Sequence, residues 1–507
     1  MTTSRDFQPR LAVSGPRLTH AWVSGDPLTA SERALIDHAA VGELLSLGEA
    51  ETDREKMEAW GPDRTIRAAV LRHLLVAPEW SVHAKGVRLS GARISGVVDL
   101  ESTVLRCPLL LDACLLEDPH PVVLDYVTAP RLALRGCHLA GLSAEMLVVR
   151  QDLALDDSTL TGPVRLVGAD ITGALSCAGA RLTGADTDGN ALVADRVKIG
   201  GDVFLDQGFT AAGAISLAAG RIEGAIVLAE AEFTGPVALR AAGVRVGHEL
   251  RWEPRSPVEG LVDLERAVVQ RLDDDWSLPD AHWPPAGKLL LAGFVYDGFG
   301  GINQADWSQR LDWIRRHHTT PVPGQRASFA AQPYEQLARV FRQAGQDSDA
   351  RAIAIARRND LRRYPNLSRL SRPHRVSNWL LDKTIKHGYQ PLRAVGLLAA
   401  VYLVTVLAFW GAQHHDTVIV PAKDIRTLTP APTALQCTAS YACFYPAGYA
   451  LDVVVPIVNV RQAENWRPNG EADWGWAYVG GSWLATGLGW AFSTLAVVGY
   501  TGLVRKD

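Results

Sequence analysis

Cysteine is scarce in this chain, with six in 507 residues and no Cys-x-x-Cys pair. That scarcity excludes a disulfide scaffold, a zinc ribbon and a thioredoxin-type dithiol. A surplus of positive charge is also missing. Fifty-one Lys and Arg stand against 55 Asp and Glu, for a formal charge of -4, so no global pull toward nucleic acid exists and a general polyanion binder is disfavoured. Only eight of the cations are lysine; arginine supplies the other 43. From Met1 to Gly15 the chain has Arg5 and Arg10 but no apolar run of signal-peptide length, which places the N-terminal region in the cytoplasm. No Gly-x-Gly-x-x-Gly turn, Walker A loop, His-Glu-x-x-His helix or Gly-x-Ser-x-Gly elbow occurs. The common dinucleotide, nucleotide, zinc-protease and serine-hydrolase sites are therefore not written here. No cofactor, metal site or catalytic residue is nominated.

What the chain does have is a repeat. An apolar–x–Gly–x–apolar–x–apolar pattern runs through Ile94, Gly96, Val98 and Leu100, then Leu160, Gly162, Val164 and Leu166, then Ile171, Gly173, Leu175 and Cys177. It returns at Ile199, Ile222 and Phe233, with starts at 149, 160, 171 and 182 spaced by eleven residues. Residues 185–191 are an insertion. Alternation at period two means short strands with one face inward, and the recurring Gly marks places where a Cβ would obstruct the backbone. Two units give roughly 22 residues per coil, so residues 82–300 make about nine or ten coils and a rod of roughly 45 Å. Cys107, Cys114, Cys137 and Cys177 fall in or near the apolar ladders and read as small core residues.

Segments such as Gly168-Ala-Asp-Ile-Thr172 and Gly179-Ala-Arg-Leu-Thr183 resemble pentapeptide-repeat and related right-handed β-solenoids. The extra residue in each eleven breaks five-residue phasing and counts against a strict quadrilateral coil. Some members of that class imitate DNA with an acidic face; here Arg88, Arg93, Arg131, Arg165, Arg181 and Arg221 mix with acids outside, which speaks against mimicry.

A solenoid needs caps on its open sheet edges. Thr29 as N-cap with Glu32 three residues on predicts a capping box, and a second helix is expected from about Asp63 to Leu75; together residues 1–81 form an N-terminal helical cap on the solenoid of residues 82–302. Beyond it, a helix is expected over Trp307–His317 with Leu311 and Ile314 inward. A hairpin follows, with Tyr334–Ala344, a turn at Gly345 and Ser348–Arg363, its stripes being Tyr334, Leu337, Val340 and Phe341 against Ala350, Ile353, Ala354 and Arg357. It resembles one tetratricopeptide helix pair and is expected to dock onto the β-coil. Residues 303–390 thus hold a helical adaptor and a basic arm: Arg357, Arg358, Arg362, Arg363, Arg369, Arg372, Arg375, Lys383 and Lys386. Such an arm suits anionic lipid headgroups, each charge adding about 1 kcal/mol near the surface.

Residues 391–507 read as a membrane anchor. Val395–Ala412 is uncharged over eighteen residues, about 27 Å of helix and close to a hydrocarbon core. A second uncharged stretch, about Ala477–Val504, carries Trp476, Tyr478, Trp483 and Tyr500 toward its ends. Lys383, Lys386 and Arg393 before the first span and Arg505 and Lys506 after the second put both flanks in the cytoplasm. Residues 413–475 then lie outside the inner membrane, where Cys437 and Cys443 meet an oxidising compartment and a disulfide between them is expected. Tyr449–Val460, apolar apart from Asp452 and holding Pro456 and Asn459, is expected to be interfacial or re-entrant.

Three lures are weaker. His317 with His318 and His414 with His415 diverge as neighbours on a helix. Asp186, Asp188 and Asn190 lack the twelfth-position Glu of a calcium loop and read as an Asx turn. Val498-Gly-Tyr-Thr-Gly502 resembles a potassium filter, but no inner helix follows it.

The order of helical cap, β-coil, Gln332-Pro-Tyr-Glu-Gln-Leu337 helix, basic arm and terminal span through Leu488-Gly-Trp490 resembles a bacterial β-solenoid membrane family often labelled membrane-associated oxidoreductase. The resemblance implies that label without transferable catalytic residues. The residues themselves point to a mainly β chain with helices: a cytoplasmic β-solenoid on a two-span anchor, working as a scaffold for protein partners. A redox enzyme with a non-standard cofactor site, between the last coil and the hairpin, is the alternative, and a channel or transport accessory is a second.

Overall fold

The computed structural model describes residues 27–117, 119–301, 303–317, 329–363, 392–415, 417–422, 433–435, 441–455 and 457–500. The chain divides into two compact units, Met1–Arg357 and Arg358–Asp507.

The first unit is a β-solenoid of about nine turns. Each coil carries four short parallel ladders. One coil contributes Leu153–Ala154, Thr159–Leu160, Val164–Arg165 and Asp170–Ile171; the next stacks Leu175 on Leu153, Leu182 on Leu160, Leu192 on Val164 and Ile199 on Ile171. The inward residues of all four ladders are buried. The coil thus has four ladders although the extra residue in each eleven breaks five-residue phasing. Most corner residues at positive φ are not glycine: Tyr126, Met146, Arg196, Ala219 and Arg266 all lie between 55° and 59°. Each strained corner also donates its N–H to the corner carbonyl of the following coil, as Tyr126 does to Glu145 at 2.8 Å and Met146 to Val167 at 2.9 Å, so stacking offsets a backbone cost of about 1–3 kcal/mol. Of the patterned glycines, Gly162, Gly173, Gly201, Gly224 and Gly235 serve close approach instead, whereas Gly96 sits at φ 84° with open space beside it. A Cβ on Gly162 would sit 2.3 Å from the Ala140 carbonyl oxygen.

The N-terminal cap is partly woven into the coil. Helix α1, Ala30–Val41, has the expected Thr29/Glu32 capping box. A short α2, Arg54–Glu58, follows. The expected helix from Asp63 is corrected: Pro62–Arg64 is a 3-10 turn, Thr65–Arg67 is a strand, and only Ala68–Val76 is helix α3. Ile66 pairs in register with Ile94, so the solenoid ladder begins before residue 82 and claims this apolar residue from the helical pattern. Glu32, fully buried, accepts from Arg67 Nε and Nη2, both at 2.7 Å. Burial works against the Glu32 carboxylate, but Arg67 and the N–H groups of Thr29 and Arg67 outweigh it and hold its pKa below the usual range.

At the other end, three longer strands, Arg245–Trp252, Val268–Asp274 and Val295–Gly300, lie side by side. Helix α4, Trp307–Arg315, buries Leu311 and Ile314 as expected and Arg310 and Trp313 besides. The hairpin forms from α5, Gln332–Gln343, and α6, Asp347–Arg363, about Gly345 at φ 77°. Tyr334, Leu337, Val340 and Phe341 are buried; on α6 the buried positions include Ala350, Ile353 and Ala356, whereas Arg357 is half-exposed and bonds Glu335. The hairpin docks on the coil through Gln332, which accepts from Gly293 N–H at 2.8 Å and donates to Phe294 O at 2.9 Å.

The second unit contains α7, Leu392–Ala412; α8, Pro446–Val454; α9, Gln462–Asn465; and α10, Gly475–Tyr500. Among the described residues, α7 alone is long and apolar enough to cross a membrane. The expectation of two such helices is therefore not supported: α10 is helical where the second span was placed, but its Gly, Ser, Thr and Trp residues dilute its hydropathy. Residues Ile419–Pro421 and Trp466–Pro468 form a small antiparallel pair. Nine-residue α8 packs on α7 and α10 around Phe409, Tyr449, Val454 and Ala485. At its end Asp452 accepts the N–H groups of Val460, Gln462 and Ala463 at 2.5, 2.6 and 3.0 Å, turning the chain back while Ile457 is 86% exposed.

Candidate binding cleft at the end of the coil

The polar chemistry of the first unit converges where the last strands meet α4. Trp252 and Asp274 are partners in register. Asp306 caps α4 by accepting from Ser308 and Gln309, and one turn on, Arg310 reaches Asp274 with two bonds, Nη1–Oδ2 at 2.8 Å and Nη2–Oδ1 at 2.6 Å. Both side chains are fully buried. Trp283 Nε1 donates to the same carboxylate at 2.9 Å, and the guanidinium lies 3.8 Å from the Phe299 ring centroid and 5.2 Å from that of Trp276. The fork geometry and aromatic faces are what make a desolvated pair tolerable. Around it runs a stack of rings, Phe233 to Trp252 to Trp283 to Trp313, with centroids 6.3, 4.6 and 5.4 Å apart.

Phe299 also lines a cleft of about 400 Å³ between the last strand, the start of α4 and α5. Its apolar floor is Phe299, Trp307, Val340 and Phe341; its polar edge carries Asp297, Asp306 and Asp349 with Gln304, Gln343 and Gln346. The bonds from Gln309 and Ser308 hold the Asp306 carboxyl below its ordinary pKa. Arg339 lies 3.7 Å from Asp297. An apolar trough edged by three carboxylates suits an extended segment carrying apolar and cationic side chains. Sequence reasoning placed the alternative cofactor site in this region but missed Asp274 and Arg310. The gathering of Trp252, Trp276, Trp283, Trp307 and Trp313 within one stretch was the available signal.

Burial pushes the Cys177 thiol up to about 12, and burial with Cys114 alongside raises Cys137, so these free core thiols stay protonated at neutral pH. Burial likewise raises the Tyr296 hydroxyl. His317 accepts from Leu291 N–H at 3.0 Å, while His318 lies outside the described residues. Asp186 accepts from the backbone of Asp188 and Asn190 at 2.9 and 2.8 Å, the Asx turn expected there. Among the described residues no group of three or more His, Cys, Asp or Glu is arranged to hold a metal ion.

Of the basic arm, Arg357 pairs with Glu335 and Arg358 sits in α6. Arg362 and Arg363 end that helix, their side chains outside the described residues, as are Arg369, Arg372, Arg375, Lys383 and Lys386. Cys443 is disulfide-bonded; Cys437 lies outside the described residues. In the second unit an apolar cavity of about 550 Å³ separates α7 from α10, lined by Leu397, Val401, Ala408, Gly481 and Leu488.

No protein-family model, curated protein or solved structure matches this chain. The β-solenoid element of the resemblance is what the structure shows; the pentapeptide-repeat and oxidoreductase labels gain no support from these comparisons.

Proposed function

We propose that the protein is a membrane-tethered β-solenoid whose end cleft binds a partner protein through an extended segment with apolar and Lys or Arg side chains. The observation that carries this reading is the cleft: an apolar floor and three carboxylates on a rigid coil whose end is pinned by the Arg310–Asp274 pair. A right-handed sense and kinship with pentapeptide-repeat coils belong to the same proposal and are supported by the four short ladders per coil. Helix α7 spans the inner membrane with its basic flank inside; its 21 residues give about 31 Å. Helix α10 returns to the cytoplasm, and the disulfide of Cys443 suits an outer segment. The arm from Arg357 to Lys386 rests on anionic headgroups of the inner leaflet.

A photo-crosslinking residue at Gln343, in the full-length protein in its native membrane, tests the cleft. The reading expects a discrete protein adduct that disappears with Asp297→Asn and Asp349→Asn together. No adduct, or one indifferent to those substitutions, overturns it. A stoichiometric flavin or haem band in gently purified protein would instead favour the oxidoreductase, and ion flux in liposomes the transport accessory.

A further inference from the structure

Helix α10 presents two distinct faces. Ser482, Ala485 and Gly489 are buried on the side that packs against the rest of its unit. About 140° around the helix runs a second series: Trp476, Gly480, Trp483, Gly487, Trp490, Thr494 and Val497. The steps alternate four and three residues, and all seven positions are exposed. A bulky side chain recurs every seventh residue and a small one every seventh between them. Trp476, Trp483 and Trp490 are 69%, 75% and 59% exposed, and a Cβ on Gly480 or Gly487 would meet nothing within 4 Å. Gly489 has a neighbour that requires it; Gly480 and Gly487 have none among the described residues, although glycine costs a helix about 1 kcal/mol relative to alanine.

We propose that this seam is the interface of a parallel homodimer. The spacing averages 3.5 residues, the period that keeps one stripe facing a partner helix in a left-handed supercoil. Knob and hole lie on the same stripe with the same repeat. Two copies related by a two-fold axis along the helices bring equivalent residues to the same height, and because helical side chains lean toward the N-terminus, the indoles of Trp483 and Trp490 lean toward the partner copy's Gly480 and Gly487, a self-complementary contact of the isologous kind. The area is sufficient. With about 250 Å² per indole, the three tryptophans expose roughly 500 Å² per copy and so roughly 1,000 Å² per pair, reaching the threshold for a specific interface. An interfacial aromatic belt explains Trp476 but not Trp490, which lies fourteen residues on, about 21 Å along the axis.

The interface is independent of the cleft reading; its parallel sense rests on the anchor reading, because copies inserted from one side point the same way. Single cysteines along α10 of the full-length protein, oxidised in native membranes, test it. Dimer crosslinks should be strongest at 480, 487 and 494 and weak at Leu484→Cys and Thr486→Cys, exposed positions about 80° to either side. Filling the holes with Gly480→Leu and Gly487→Leu should lower the crosslink at 494 about tenfold, as a loss of 1.4 kcal/mol does. Crosslinks peaking on another face, or none in chains retained by carbonate-washed membranes, overturn the seam. Chains that wash off while still crosslinking at 480, 487 and 494 overturn the anchor and support the seam.

Discussion

Arg310 and Asp274, 36 residues apart in sequence, meet in a two-bond ion pair with neither side chain exposed. Removing one partner leaves a charge stranded among Trp283, Trp313 and Phe299, so Arg310→Met should cost about 3–5 kcal/mol. Arg310→Lys should also fall well below wild type, since a single ammonium cannot reproduce the fork. The double variant Arg310→Met with Asp274→Leu should recover most of the loss. Thermal and denaturant unfolding of the full chain measures all three, and a single substitution within about 1 kcal/mol of wild type would contradict the role given to this pair.

His317 accepts the N–H of Leu291 through a ring nitrogen that must be unprotonated, and burial lowers its pKa below the ordinary 6.5. The unfolded chain therefore binds this proton more readily than the folded one. Stability from this group is complete above about pH 6.5 and is lost as pH falls below that toward the depressed folded value. Unfolding midpoints should drop between pH 7.5 and 5.5, and His317→Gln, which still offers an acceptor but does not titrate, should flatten that stretch of the profile. An unchanged slope in the variant would remove His317 from the account.

The solenoid was legible because its signal is local: Leu160, Gly162, Val164 and Leu166 show the period-two face on their own, and the Thr29/Glu32 box marks a helix start within four residues. Thr65–Arg67 was not, because Ile66 fits a helical stripe equally well and only its pairing with Ile94 decides the matter. The corners were hidden for a different reason. Tyr126 or Arg196 at positive φ contradicts residue preference, and the hydrogen bond that sustains each comes from the neighbouring coil. Asp274 reads in sequence as part of an acidic run, Asp273 to Asp275, and becomes a core residue only through Arg310. The cleft inherits that limit, since Phe299 and Phe341 come together from separate elements.

Cys443 is the one described cysteine in a disulfide, while Cys107, Cys114, Cys137 and Cys177 are free. Pairing with Cys437 is expected in an oxidising compartment. Non-reducing mass spectrometry of native membranes should find peptides holding Cys437 and Cys443 joined, and Cys437→Ser should leave Cys443 open to alkylation. Two free thiols in the wild type would count against both the bridge and the outside placement of this segment.

Gly487 and Gly489 are two residues apart on α10 and separate two kinds of packing. A Cβ on Gly489 would lie 1.9 Å from the Val454 carbonyl oxygen, a backbone atom that cannot step aside, whereas one on Gly487 meets nothing. Alanine gains the same helix propensity at either site, up to about 1 kcal/mol. Gly489→Ala should nonetheless destabilise, by about 1–3 kcal/mol, because α8 must shift away from α10. It should also expose residues 441–474 to protease added to intact cells stripped of their outer barrier. Gly487→Ala should leave both the unfolding midpoint and the cleavage pattern of the single chain at wild-type values or better. Equal behaviour of the two variants would mean that α8 does not pack on α10 at this depth.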